Sequence, residues 1–266
     1  MRSTGGAPVP DRAALFDLTG RVAVVTGGAS GLGEAIAHGF ARQGALVVLA
    51  DLDAERLSAT AEELPTAHPE SGGVDTLRLD VTDAEAVEQA FADVVATHGS
   101  LDVLVNSAGI VALDPVDEVP ERTWEKVLQV NLTGTFLACR AAGTHMKAAA
   151  YGRIVNIASQ AAHVALEHHA AYGASKSGLF GLTRSLAREL GPHGVTANTI
   201  SPTVVMTELG RQAWDGPHGE AHRAEIPVRR FAEPEEIAAA VVYLSSQEAA
   251  MVNGADLRID GGFTIV

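Results

Sequence analysis

Short apolar runs and amphipathic stretches alternate along almost the whole chain. Residues 21–25 form an apolar run rich in β-branched side chains, which predicts a buried strand. A glycine-rich segment over 26–33 separates it from helical spacing over 34–43. The run 45–50 predicts a second buried strand that ends on Asp51. Helical spacing over 55–63 is expected to stop at Pro65, and a turn over 69–73 leads into a strand over 74–79 that ends at Asp80. A helix over 84–97 and a strand over 101–105 follow. Pro120 opens a helix expected to run unbroken over 121–147 with Asn131 inside it. Asn is a poor helix former, so its place there wants an explanation. Further on, the pattern predicts a strand over 153–158, a helix over 172–190 closed by Gly191 and Pro192, and a strand over 195–200. After a polar, irregular stretch come a helix over 234–244 and a strand over 255–259. This regular alternation, without a second compositional block, predicts one doubly wound parallel α/β sheet of about seven strands. The single domain is expected over 16–266, preceded by a flexible lead-in over 1–15 rich in Gly, Pro and Ala. In such sheets ligands sit beyond the carboxyl ends of the strands, and the polar residues singled out below fall there.

Composition narrows the partners. The chain has 266 residues, enough for one full core, and a formal net charge of −14. It offers no broad cationic face, which argues against nucleic acid or an anionic membrane as partner, though a local cationic pocket stays open. Cys139 is the single cysteine, so no internal disulfide and no cysteine cluster for zinc can form. No apolar run suits a bilayer span, and residues 1–11 lack a hydrophobic signal core, so a reducing cytoplasm is the expected setting.

Tyr172 and Lys176 carry the first candidate chemistry. On a helix they would lie on one face, one turn apart. A phenol titrates at about 10 in water and is a poor base at neutral pH. An ammonium beside it favours the phenolate, making the pair a proton-transfer device. A surface pair with a snorkelling lysine has the same spacing. The second candidate is Gly27-x3-Gly31-x-Gly33, between a strand and a helix. Backbone N–H groups there suit a pyrophosphate at a helix N-terminus, while a plain tight turn is the alternative. Asp51, closing the second strand, supplies an acid for the hydroxyls of an adenosine ribose. A carboxylate repels a 2′-phosphate, and neither Ser30 nor Leu52 offers a cation, which favours NAD over NADP. Arg56, one turn into the next helix, is the nearest arginine and the opposing consideration.

Taken together, Thr26-Gly27-x3-Gly31-x-Gly33, Asp80-Val81, Asn106-Ser107-Ala108-Gly109, Asn131, Ser159 and Tyr172-x3-Lys176 resemble the short-chain dehydrogenase/reductase family from Asp17 onward. Ser107 departs from the family's usual second Asn, which touches loop hydrogen bonding. The resemblance implies a Rossmann-type fold and an NAD-dependent oxidoreductase. It implies Tyr172 as general acid/base and Lys176 as the group that lowers its pKa and binds the nicotinamide ribose. It implies Ser159 as a hydrogen-bond partner of the substrate oxygen, and Asn131 as holder of a water that relays protons. The plain alternatives are a strand-end cap for Ser159 and an ordinary helix-interior polar residue for Asn131. Cofactor contacts are implied for Gly27, Ser30, Gly31, Leu32, Gly33 and Asp51, for Asp80 and Val81 at the adenine, and for Asn106, Ala108 and Gly109 behind the ribose. Pro202, Val205 and Thr207 are implied near the carboxamide. The family is commonly tetrameric, with the helices carrying Asn131 and Tyr172 packing between subunits.

The segment between Ser159 and Tyr172 contains His163, Glu167, His168 and His169. Their spacing is not that of a helical zinc motif, and no metal is expected. As a pocket rim, these polar side chains suit a hydroxylated substrate. Ser159-Gln160, the run 202–207, Trp214, Pro217-His218, Ile226-Pro227 and Phe231-Ala232-Glu233 resemble xylulose reductases and sugar-alcohol dehydrogenases. That likeness implies Gln160, His169 and Trp214 as substrate contacts, with 203–230 as a substrate-loop insertion. A small polyol or keto-sugar (threitol-, erythritol-, xylitol- or galactitol-like) is the expected substrate. A 3-oxoacyl-thioester reductase and a catalytically silent NAD-binding regulator are the alternatives. The acidic carrier of an oxoacyl substrate would want a basic surface, which a charge of −14 does not favour.

The charge at Asp51 generates a cofactor prediction. Initial rates with NAD and NADP should give a higher kcat/KM for NAD, and a ratio favouring NADP would sink the reading of Asp51.

Overall fold

Residues 15–265 are described by a computed structural model of the chain; of the expected lead-in, residues 1–14 lie outside the described residues. The strands are β1 (Val22–Thr26), β2 (Leu46–Asp51), β3 (Gly73–Arg78), β4 (Val103–Asn106), β5 (Gly152–Ile157), β6 (Val195–Pro202) and β7 (Asp256–Ile259). They form one seven-stranded parallel sheet in the order β3-β2-β1-β4-β5-β6-β7. The order reverses between β1 and β4, which opens a crevice at their carboxyl ends.

The helices are α1 (Gly31–Arg42), α2 (Ala54–Ala67), α3 (Ala84–His98), α4 (Glu121–Leu128), α5 (Thr135–Ala149), α6 (Ala170–Leu190), α7 (Glu208–Ala213), α8 (Pro217–Glu225) and α9 (Pro234–Ser245). Successive strand residues feed two separate cores. Ala23, Val25, Val47, Leu49 and Val105 pack with Ile36 and Phe40 of α1, Leu57 of α2 and Val241 of α9. Val22, Val24, Val48 and Leu104 pack with Phe91 of α3, Met146 of α5 and Ala187 of α6. Burial on both faces is why β1, β2 and β4 read as continuous apolar runs, while the edge strands β3 and β7 are only partly covered.

The structure departs from the sequence pattern in three places. Pro65 does not stop α2, which continues to Ala67. Leu57, Thr60 and Leu64 are buried along one face, and that packing outweighs the one hydrogen bond a proline forfeits near a helix end. The helix expected over 121–147 is interrupted by a π-helical turn, Gln129–Gly134, between α4 and α5. The stretch expected to be irregular holds α7 and α8. Its two ends are pinned together by a parallel bridge between Val205 and Ala232, after β6 and before α9. Among the described residues, no helix is long and apolar enough to cross a membrane. No group of three or more His, Cys, Asp or Glu there could hold a metal ion.

Below the amino ends of the strands, Asp102 ties the sheet to its entry loop. Its buried carboxylate accepts from Arg21 Nη1 and from Val22 N, each at 3.0 Å, and also from Ser100 Oγ. Asp102→Ala would leave buried donors unpaired at the end of the sheet away from the glycine loop. Urea unfolding should show a loss of about 2 kcal/mol, with turnover by the folded fraction unchanged.

Candidate active site

The glycine loop is built for close approach of backbone. Gly27 and Gly31 hold φ of 66° and 56°, the left-handed region that favours glycine. A Cβ at Gly27 would lie 2.8 Å from the backbone N and Cα of Ala108, and one at Gly33 would collide with the carbonyl oxygen of Gly27. Ser30 stands extended ahead of α1 and its side chain makes no cap hydrogen bond, which leaves the helix N-terminus open toward the loop. Leu32 is partly buried against the core beneath. At the end of β2, Asp51 accepts from Ala29 N at 3.3 Å and from Asp53 N at 3.2 Å, so its carboxylate is held beside the loop. Arg56 turns to Asp53 at 3.5 Å. The nearest arginine in sequence is thus engaged by another acid. A glycine cradle, an uncapped helix start and a fixed carboxylate fit a dinucleotide.

Beyond this, the other expected cofactor residues are distributed around the crevice. Asp80 accepts from Thr82 N at 2.9 Å and from Thr82 Oγ1 at 2.7 Å, bonds that hold its carboxyl below the usual range. Val81 packs on the π-helical turn, where a Cβ on Gly134 would meet Val81 Cγ2 at 2.9 Å. The Asn106 side chain faces the core: its Nδ2 donates to Asn156 Oδ1 at 2.8 Å and to Cys139 Sγ at 3.2 Å. Toward the crevice, that segment offers backbone. Thr26 fixes it, accepting from Ser107 N through its carbonyl and from Ala108 N through its hydroxyl. Pro202 closes β6, Val205 sits at the bridge to Ala232, and Thr207 caps α7 by accepting from Gly210 N at 3.1 Å. The Thr207 methyl overhangs the glycine loop, 3.5 Å from where a Cβ on Gly31 would be.

Asn131 explains its own position. It lies fully buried in the π-helical turn. Its Oδ1 accepts from Ile110 N at 2.8 Å, while its Nδ2 donates to Ile110 O at 2.9 Å and to Ser175 Oγ at 3.1 Å. The side chain is therefore committed to holding the strand-end loop against α6. Gly109 lies in the angle between them: a Cβ there would be 3.3 Å from Asn131 Oδ1 and 3.5 Å from Lys176 Nζ.

Lys176 is 5% exposed, and its ammonium donates to Ile157 O at 2.7 Å. Burial pushes this amine down to about 8. Tyr172 is half-buried, with Lys176 Nζ 5.7 Å from its ring centroid. Burial raises the phenol above its ordinary pKa, and the nearby Ser159 hydroxyl opposes that rise. The expected depression by Lys176 is not what dominates in this arrangement, because the ammonium is turned to the Ile157 carbonyl. Ser159, at the end of β5, also accepts from Ala161 N at 3.1 Å, so it is both a cap and a neighbour of Tyr172.

The expected substrate residues divide. His169 immediately precedes α6 without capping it through its side chain, and its ring meets Tyr172 edge to face at 6.0 Å. It lines a cleft of about 560 Å³ with Glu167 and His168, closed from the other side by Pro115 and Val116. His163 leaves this rim: it reaches Asp256 at 2.9 Å and Ser201 at 3.3 Å between β6 and β7. Trp214 stacks on His218 at 4.8 Å and leans on His222 and Phe231. Gln160 is 3% exposed; its Nε2 lies 3.3 Å from His222 Nε2, and its Oε1 is buried without a partner. Thr26 and His222 were not singled out as site residues from the sequence. Thr26 opens the glycine motif and is legible there, whereas no motif marks His222.

The family model described as Enoyl-(Acyl carrier protein) reductase matches residues 27–264. The chain is 52% identical to a D-threitol dehydrogenase of Mycolicibacterium smegmatis, over 94% of this chain and 95% of that protein. It is 42% identical to an NAD-dependent glycerol dehydrogenase of Listeria innocua, over 94% of this chain and 96% of that protein. A solved Beutenbergia cavernae structure, described as NAD(P) dependent with NADP bound at low occupancy, superposes with a TM-score of 0.89 at 38% identity. That match covers 95% of this chain and 100% of the other.

The buried amine of Lys176 sets a stability signature. Above about 8 the folded protein releases its proton, while an unfolded lysine keeps it to about 10.4. The unfolded state then binds more protons, so this group adds stability as pH rises through that window and loses it as pH falls through 8. Lys176→Met removes the effect. Urea unfolding at pH 7 and 9.5 should show the wild type gaining about 2 kcal/mol on the variant, and no change would refute the buried-amine assignment.

Proposed function

Because this chain belongs to the short-chain dehydrogenase/reductase family, oxidoreductases acting on CH–OH groups, we propose that it interconverts a secondary alcohol and a ketone on a small polyol or keto-sugar, with NAD. The observation that carries the chemistry is the meeting of Tyr172, Ser159 and buried Lys176 beside Gly109, in the loop beyond β4. NAD, when bound, supplies the hydride acceptor or donor. The cradle from Gly27 to Gly33 would hold its pyrophosphate and Asp51 its adenosine ribose. The charge of Asp51, and the engagement of Arg56 by Asp53, support NAD over NADP.

The chain's own groups handle the proton. In ketone reduction the Tyr172 phenol, its pKa raised by burial, is an acid at neutral pH and gives its proton to the substrate oxygen. Ser159 Oγ donates a hydrogen bond to that oxygen as charge develops on it. In alcohol oxidation the phenol must first lose its proton, and the positive charge of Lys176 in a dry site favours that loss. Asn131 keeps Gly109 and Lys176 in register. The polyol reading rests on the threitol and glycerol dehydrogenase relatives and on the hydrogen-bonding capacity of Gln160, next to Ser159, and of His169, beside Tyr172. The 203–230 segment serves as the substrate loop in this reading. A homotetramer is supported by the exposed Trp124 and Phe136 on the outer faces of α4 and α5. A carrier-bound acyl substrate, suggested by the matching family model's description, is the second reading; the net charge of −14 opposes docking of an acidic carrier.

A panel of tetritols, pentitols and hexitols with both nucleotides tests the proposal; absorbance gain with NAD on a polyol is the expected result, and none on any member refutes it. Tyr172→Phe should lower turnover by about 10²–10⁴-fold at near-native NAD affinity. Alcohol oxidation should accelerate with rising pH while ketone reduction slows, since the phenolate serves one direction and the phenol the other. Near-native activity in that variant would remove Tyr172 from the mechanism.

A further inference from the structure

His222, on the helix α8, reaches back to the residue that follows Ser159. It is 8% exposed and enclosed by aromatic rings: Trp214 at 4.9 Å, Phe231 at 6.0 Å and Phe263 at 4.7 Å. Its Nε2 faces Gln160 Nε2 at 3.3 Å, and its Nδ1 faces Glu225 Oε2 at 3.3 Å. An amide nitrogen can only donate. The contact is satisfied when the imidazole is neutral, with Nε2 bare and Nδ1 carrying the proton toward Glu225. The charged and titratable groups around the ring are Glu225 and His218, both on its own helix; Gln160, Trp214, Phe231 and Phe263 approach from other elements and do not titrate. Burial lowers the pKa of His222, which keeps this neutral form dominant at neutral pH.

With its amide N–H spent on His222, Gln160 is left holding a buried carbonyl oxygen without a partner. Native structures rarely retain such a group unless something else fills it. We infer that His222 is a positioning residue of the substrate site: it fixes the Gln160 amide so that Oε1 accepts a hydrogen bond from a substrate hydroxyl. This rests on the polyol reading given above. It joins two events, because the ring that orients Gln160 belongs to the segment closed by the Val205–Ala232 bridge. A protonated His222 would carry N–H on both nitrogens. It would then call for Oε1 in place of the amide nitrogen, turning the acceptor away from the substrate.

The test uses the full-length protein and two variants. His222→Phe keeps an aromatic ring among its neighbours but presents no acceptor, and His222→Gln restores an acceptor of similar reach. KM for the best polyol should rise about tenfold in His222→Phe, the worth of a lost hydrogen bond, with a smaller change in kcat and in KM for NAD. His222→Gln should recover most of that loss. In the wild type, KM should also rise as pH falls below 6.5 (the ordinary histidine value), and His222→Phe should lack that rise. If His222→Phe does not fold, the wild-type pH profile and His222→Gln carry the test: a flat profile together with a KM rise in His222→Gln as large as in any non-bonding variant overturns the inference. Turnover of a polyol with unchanged KM in His222→Phe overturns it alone. Absence of any polyol turnover by the wild type refutes the functional reading, and this inference falls with it.

Discussion

One amide holds this site together. Asn131 bonds both backbone groups of Ile110 and the hydroxyl of Ser175, so a loop beyond β4 and a turn of α6 are clamped to the same side chain. Ser175 in turn donates to the carbonyl of Tyr172, and the next residue is Lys176. A straight α-helix would carry the groups after this point around its axis at a uniform pitch; the extra residue of a π-helical turn resets that phase. The poor helix propensity of asparagine is thus offset by three hydrogen bonds, one buried and two partly buried, made from this interrupted geometry.

Burial has opposite effects on the pKa values of Tyr172 and Lys176. It raises the phenol and lowers the amine, and each shift favours the uncharged form. The two shifts move the pKa values apart, so the neutral phenol is favoured over a phenolate more strongly than in water. Desolvation drives both shifts, and at Tyr172 the Ser159 hydroxyl opposes it. Overall net charge contributes little at this range.

Most of the framework was legible because it is periodic. Continuous apolar runs marked strands covered on both faces, and the glycines and Asp51 fell at strand ends where a doubly wound sheet gathers ligands. What escaped depends on packing between distant segments. Pro65 looks like a stop until Leu57 and Leu64 are seen buried on the same helix face. The histidine cluster before Tyr172 reads as one rim, yet His163 is drawn off by Asp256, a residue far along the chain on the last strand. The α8 helix has too few apolar residues to announce itself, and its one buried histidine gains meaning only through Gln160.

The bridge between Val205 and Ala232 bears on how such a protein can change. Met206 N bonds Ala232 O at 2.9 Å and Ala232 N bonds Val204 O at 3.1 Å, so everything between departs from and rejoins a single anchored neck. The closure entropy of a loop grows only slowly with its length, by about 0.6 kcal/mol per doubling. Residues between the two sides of the neck can therefore change in length at small closure cost, provided that the contacts of His222 with Gln160 and of Val228 N with Gly261 O are kept. New selectivity can then arise by replacing one cassette, while the proton-handling groups, which sit on elements outside it, keep their places.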